Sequence, residues 1–281
     1  MSGLDELIGA TYGPFRVEVV RDRVVAFVEA TGADPVQSTL VPPMFANTVL
    51  FSAAPAFLQD PSVVPFTRSL LQSEQLFRWA RPLLVGETLE VTGTVEASRA
   101  RGALNLVTFS LEATSDRGLW LSGSSVFVMS TEAAARAEDA GEPDEELGPP
   151  SDPDGDALAL PAAGDPLGRL RCGASRSDLM RYAAVSADRN PIHLEHDAAR
   201  SAGLGGVVVH GLLMAAWMGR LATRYGTLKA MHLRFRSPLR PAVPAVVTGT
   251  MVATTGDTAD LDLVLAADDQ RRVTARVSVT P

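Results

Sequence analysis

Leu212-Leu213-Met214-Ala215-Ala216-Trp217-Met218-Gly219 is apolar on every side of a helix, and the first charge comes only at Arg220. A helix bordering water keeps a polar face, so one without it is enclosed on most sides. The run is far shorter than the roughly 18 apolar residues of a membrane span, so the enclosing material is protein. Leu213, Met214 and Trp217 are therefore expected in a core rather than around a cofactor. Downstream of the helix-length stretch 210–225 the pattern changes period, and residues 245–254, 259–266 and 272–280 alternate as three strands. The expected unit is α+β, one buried helix clasped by a curved antiparallel sheet.

The same unit occurs twice. Phe77-Arg78-Trp79-Ala80-Arg81-Pro82-Leu83 through Val91-Thr92-Gly93-Thr94 aligns without gaps, 156 positions on, with Leu233-Arg234-Phe235-Arg236-Ser237-Pro238-Leu239 through Val247-Thr248-Gly249-Thr250. Arg, Pro, Leu, Thr, Gly and Thr recur in register, the mark of a duplicated fold. The first copy also has an apolar helix-length stretch, 45–58, ahead of it and alternating strands, 90–97, 103–114 and 119–130, behind it. Two such units make a double hotdog.

A length of 281 residues suits two units of roughly 150 residues or fewer. The net charge of −8 is local: residues 131–166 hold eleven Asp/Glu and one Arg, leaving 22 acids against 24 bases elsewhere. That stretch lacks aromatic and periodic apolar residues, which predicts an extended, poorly ordered linker between an N-terminal unit, 1–130, and a C-terminal unit, 167–281. Its composition predicts that deleting residues 140–150 changes little. Nucleic-acid and membrane partners are not expected. The acidic start, Met1-Ser2-Gly3-Leu4-Asp5-Glu6, does not resemble a signal peptide, so a cytoplasmic location is expected. The lone Cys172 excludes an internal disulfide and reads as a small buried hydrophobe.

Chemistry concentrates in Asp188-Arg189-Asn190-Pro191-Ile192-His193. A carboxylate and an imidazole five residues apart, on a turn stiffened by proline, can face one point and activate a water or an acidic C–H from both sides. Asn190 is expected to cap the turn that begins at Pro191. Gly211, opening the buried helix, offers a first-turn amide and no side chain to block a bound oxyanion. His210 stands at the helix entry, His196 is expected to face solvent, and His232 lies in a strand. The histidine spacing supplies no zinc set, and no cofactor is expected.

The stretch from Tyr182 to His193, followed by Ala199 and by Val209-His210-Gly211-Leu212, resembles the hydratase motif of MaoC-like (R)-specific enoyl-CoA hydratases and 3-hydroxyacyl thioester dehydratases. Val41-Pro42-Pro43-Met44-Phe45 and Arg81-Pro82-Leu83-Leu84-Val85-Gly86-Glu87 are similar to the degenerate first hotdog of double-hotdog members, the FAS1-like dehydratase half. The chain departs from the motif at Ala187, where Gly is usual. The resemblance implies reversible hydration of a trans-2-enoyl thioester of CoA or acyl carrier protein to the (R)-3-hydroxyacyl product. It further implies Asp188, His193, Asn190 and Gly211 as catalytic residues, and a first repeat that shapes the acyl tunnel without a second active site. His210, Arg234 and Arg236 are candidate substrate contacts, with Arg78, Arg81 and Arg240 as further phosphate candidates. A hotdog thioesterase and a non-catalytic acyl-binding subunit are the alternative readings, and a homodimer is compatible with all of them.

Overall fold

Residues 74–78 pair antiparallel with residues 230–234, Glu74 opposite Arg234, Leu76 opposite His232 and Arg78 opposite Ala230. With a repeat offset of 156, this register sets Leu76 opposite its own counterpart, so a local two-fold relation between the repeats passes between Leu76 and His232. In the computed structural model, which describes residues 4–33, 39–132, 137–141, 151–152 and 155–281, that pairing joins two five-stranded halves into one ten-stranded antiparallel sheet. The N-terminal half contains β1 (Thr11–Glu18), α1 (Arg21–Ala30), α2 (Ala46–Leu58), β2 (Ser69–Trp79), β3 (Thr88–Arg101), β4 (Leu104–Ser115) and β5 (Gly118–Ser130). The C-terminal half contains β6 (Leu170–Cys172), α3 (Arg176–Ser186), α4 (His196–Ser201), α5 (Gly211–Thr223), β7 (Thr227–Phe235), β8 (Ala245–Thr255), β9 (Thr258–Ala267) and β10 (Gln270–Thr280). The strand order β1-β3-β4-β5-β2-β7-β10-β9-β8-β6 is the same from either end once each strand is matched to its counterpart.

Helix α5 touches all five strands of its half, and α2 touches β1, β3 and β4. This is the expected double hotdog. Every residue of α5 from Leu212 to Ala222 is buried, and each large apolar side chain there contributes roughly 1.5–3 kcal/mol. Arg220 is buried too, although the sequence pattern marked it as the point where the helix meets water. Its guanidinium donates to Thr31 O at 3.3 Å and Asp152 O at 2.7 Å, so backbone carbonyls replace the solvent it loses. Cys172 is buried as expected, and burial pushes its thiol up to about 12. No described helix is long and apolar enough to cross a membrane.

The acidic stretch between the halves is not free of contacts where it is described. Ala137 and Ala140 donate backbone N–H groups to Gly203 O and Gly205 O, and Arg240 donates to Gly141 O. Asp139 pairs with His196 and Arg200, and Asp152 with Arg171. The carboxylates that made the segment look like solvated linker here find basic partners on the C-terminal half. A deletion starting at residue 140 therefore removes docking contacts, while residues 142–150 lie outside the described residues.

Candidate active site

Helix α3 aims the Asp188 turn. Its N-terminus is fixed by a reciprocal capping box: Asp178 N donates to Ser175 Oγ at 3.1 Å, and Ser175 N donates to Asp178 Oδ2 at 2.7 Å. At the other end Ala187 adopts φ 65°, a left-handed residue that stops the helix and turns the chain inward. Glycine is usual in the motif at this position because an L-residue here costs roughly 1–2 kcal/mol. Ala187 bears that strain without altering the turn's hydrogen bonds: its N–H still reaches Ala183 O at 3.1 Å. Asp188 N then donates to Ser186 Oγ at 3.2 Å, and Asn190 N to Asp188 Oδ1 at 3.4 Å. Asn190 Oδ1 accepts from Ile192 N at 3.3 Å, capping the turn Pro191–His193 as its sequence predicts.

Asp188 and His193 are each 7% exposed, and His210 is fully buried. A carboxylate oxygen of Asp188 and one ring nitrogen from each histidine lie within 4.8 Å of one another. Carbonyl oxygens only accept, so their partners fix both imidazole tautomers. His193 Nδ1 carries a proton toward Val208 O at 2.8 Å, leaving Nε2 as the basic nitrogen. His210 Nε2 carries one toward the Asp188 backbone O at 3.2 Å, leaving Nδ1 bare and unpartnered. The two rings stack at 3.9 Å with 24° between planes, and Tyr182 meets His210 edge-on at 5.0 Å.

Electrostatics in this enclosed site follow from burial first. Burial raises the Asp188 carboxyl, opposed by the His193 charge and the Asn190 N–H. Burial lowers His193, opposed by Asp188 and the Val208 carbonyl. His210 is driven well below the ordinary range by burial and by the neighbouring His193 charge. Burial thus favours the neutral form of each member of this side-by-side pair. A metal ion on all three groups would have to lie in both imidazole planes, and near-parallel rings stacked at 3.9 Å share no such point at about 2.1 Å from each nitrogen.

Because His193 and His210 are both held below 6.5, their contribution to stability is complete above that value and is lost as pH falls through their folded-state values. Asp188, shifted upward, works in the opposite sense, so the comparison is best made between variants differing only at His210. His210→Phe should flatten the fall of Tm between pH 6.5 and 5; a slope equal to that of the wild type would refute the buried neutral imidazole.

Gly211 is the first residue of α5, and its amide has no intrahelical acceptor. A Cβ at this position would lie 3.0 Å from Phe235 Cε1, so any side chain here requires the ring of the last residue of β7 to shift. The other predicted residues divide. Arg234 sits between the inward-facing, fully buried Leu233 and the end of β7, on the sheet's opposite face, where it pairs with Glu74 at 3.4 Å. It is not brought to the site, because strand alternation sends it away from α5. Arg236 follows Phe235, exposed, and donates to Thr274 Oγ1 at 3.4 Å. Arg81 is held by both oxygens of Glu87, at 3.0 and 2.7 Å. Although burial works to raise Glu87, bonds from Arg81, the Leu84 N–H and Ser115 hold it at about 2. His196, expected to face water, is instead mostly covered and pairs with Asp139 at 3.3 Å.

Sequence reasoning missed α3, although Ser175 followed three residues later by Asp178 is a capping signature. It also missed Tyr182 and Asn47, which are fully buried beside the site. Asn47 was detectable as an amide near the start of a largely apolar helix.

Residues 161–261 match the model of the MaoC like domain, and residues 6–121 match the FAS1-like, dehydratase domain region. A UPF0336 protein of Streptomyces coelicolor is 31% identical over 108 residues, 34% of this chain and 72% of that protein. The 3-hydroxybutyryl-CoA dehydratase of Methylorubrum extorquens is 40% identical over 77 residues, 25% of this chain and 48% of that enzyme. A solved MaoC-like dehydratase superposes with a TM-score of 0.81 at 20% identity, covering 98% of this chain and 99% of the other. The chain thus carries a MaoC-like dehydratase domain with a FAS1-like dehydratase region ahead of it, and it has the double-hotdog fold of its solved neighbours.

Proposed function

We propose that the chain adds water reversibly to trans-2-enoyl thioesters of CoA or acyl carrier protein, giving (R)-3-hydroxyacyl thioesters. The observation that carries this reading is the buried pair itself, a carboxyl raised by burial beside a neutral imidazole whose Nε2 is bare. His193 Nε2 takes a proton from water as its oxygen attacks C3. The electron pair moves to the thioester oxygen, where the Gly211 N–H at the start of α5 stabilises the enolate-like charge. The Asp188 carboxyl then delivers its proton to C2, and the proton on His193 returns to Asp188 across the short gap between them. A 3-hydroxybutyryl-CoA dehydratase among the relatives runs the chemistry named in its own description, which agrees with this reaction class.

Space for an acyl tail is available further along α5. An apolar cavity of about 870 Å³ is lined by both halves, with Phe27, Val28, Met44 and Trp79 from the first and Ala216 and Gly219 from the second. It does not reach Asp188 or His193. Gly219 lies about 12 Å along the helix from Gly211, a distance that an extended acyl chain crosses. Met44 packs directly on the helix at this point: a Cβ on Gly219 would sit 2.5 Å from Met44 Cγ. Mixing the protein with crotonyl-CoA should give loss of enoyl absorbance without release of free thiol, and a chain-length series should retain activity on longer enoyl groups. Thiol release would instead support a thioesterase, and no reaction along the whole series would sink the hydration reading.

A further inference from the structure

The N-terminal repeat has the shell of an active site without its polar groups. Helices α2 and α5 are both 13 residues long, and the residue ahead of each is Phe45 in one and His210 in the other. The seventh residue of α1 is Phe27 and that of α3 is Tyr182. Phe27 meets Phe45 edge-on at 5.6 Å, as Tyr182 meets His210 at 5.0 Å. The aromatic pair is thus preserved on both sides, but only the C-terminal side carries a hydroxyl and an imidazole.

One polar residue breaks this arrangement in the other direction. Asn47 and Leu212 are the second residues of α2 and α5, and they meet where the two helix starts approach each other. The fully buried Asn47 donates both hydrogens of its Nδ2 across the repeat boundary, to Leu212 O at 2.8 Å and Tyr182 Oη at 3.2 Å. An amide NH2 only donates, so the tyrosine oxygen accepts and its own hydrogen is turned away from Asn47. Burial and the Asp188 charge push that hydroxyl well above its ordinary range, and the Tyr182 ring meets edge-on the imidazole of His210, whose Nδ1 has no hydrogen-bond partner. The second bond pins the first turn of α5, one residue after Gly211.

We propose that Asn47, carried by the repeat that lacks an Asp/His pair, is a positioning residue for the reaction in the other repeat, orienting the Tyr182 hydroxyl and fixing the start of α5. A buried asparagine could be retained for stability alone, and the two roles separate cleanly. Thr48, its equally buried neighbour on α2, has a hydroxyl without a partner and serves as the control.

The activity arm rests on the hydration reading. Asn47→Ala should lower kcat about thirtyfold with KM within about twofold, since oriented groups act at the transition state. Tyr182→Phe, which removes the hydroxyl Asn47 holds, should give a comparable loss, and the double variant should lose little more than the worse single one. Thr48→Ala should keep wild-type kcat. The second readout needs no substrate: with four histidines in the chain, the ring nitrogens of 15N-labelled protein can be followed individually. The His210 Nδ1 signal should move in Asn47→Ala and Tyr182→Phe and stay in place in Thr48→Ala. If Asn47→Ala fails to fold, Tyr182→Phe carries the test, because it leaves no cavity. A wild-type kcat in Asn47→Ala, additive losses, or unmoved His210 signals would overturn the proposal. An inactive wild type whose His210 signals shift as described would remove the hydration reading and leave the positioning contact standing.

Discussion

Asp188→Asn and His193→Ala should each lower the hydration of crotonyl-CoA by at least about a hundredfold, the lower end of what a lost general acid or base costs. The two losses arise differently. Asparagine keeps the size of Asp188 and an acceptor for the Asn190 N–H, but it has no proton to give to C2. Alanine at 193 removes the basic nitrogen that serves the reaction, and His210, whose Nδ1 is also bare, is held too far below the ordinary range by burial and the His193 charge to replace it. Asp188→Asn should also cost little stability at pH values above the ordinary carboxylate range, because it removes a carboxyl whose ionised form burial disfavours. Turnover near that of the wild type in either variant, measured on protein with an unchanged melting temperature, would remove the pair from the mechanism.

The two kinds of information in the sequence were not equally readable. Residues 212–219 and the repeat spaced by 156 led to the helix and the sheet because both are statements about period, and burial of a continuous apolar run has few solutions. The Asp188–His193 turn was legible for a different reason: proline, asparagine and a short spacing restrict the backbone enough to place two side chains together. What could not be read was anything depending on a partner distant in sequence. Arg234 looks like a phosphate ligand until strand alternation and Glu74 claim it. His196 looks solvent-facing until Asp139, 57 positions earlier, is docked against it. Arg220 looks like the first charge beyond the enclosed part of the helix until Thr31 and Asp152 surround it. Asn47 reaches the site across 135 and 165 positions, so its role depends on how the repeats are joined.

That joining also explains how one repeat could lose its chemistry without losing the fold. The contact at β2 and β7 is backbone pairing, with Glu74 bridging to His232 and Arg234 on one face and Phe77 opposite Met231 in the core on the other. Replacing an imidazole by Phe45 and a phenol by Phe27 preserves volume and edge-on packing while removing buried polar groups that would each need a partner. Under relaxed catalytic demand, the apolar version is the more stable one. The N-terminal repeat then remains useful as a wall for the apolar cavity and as the source of Asn47.

Gly211→Val should cost far more in turnover than in stability, because the backbone N–H survives while the space in front of it does not. Glycine at this position is not required by an unusual φ; it is required by proximity, with Phe235 Cε1 3.0 Å from where a Cβ would stand. The β-branched side chain of valine exceeds that single atom in every rotamer, so either the Phe235 ring moves or the thioester is excluded from the amide. Phe235 is partly exposed at the end of β7 and can swing, which limits the effect on Tm to a few degrees. Loss of one oxyanion donor costs about 10²–10³ in kcat, and that range is the expected result. Product analysis completes the test: chiral chromatography of the 3-hydroxybutyryl-CoA made by the wild type should give the (R) form. In the proposed mechanism, water held by Asp188 and His193 reaches C3 from one face only once the thioester oxygen is fixed at Gly211. An (S) product would mean delivery from the other face, and the roles assigned to all three residues would have to be given up together.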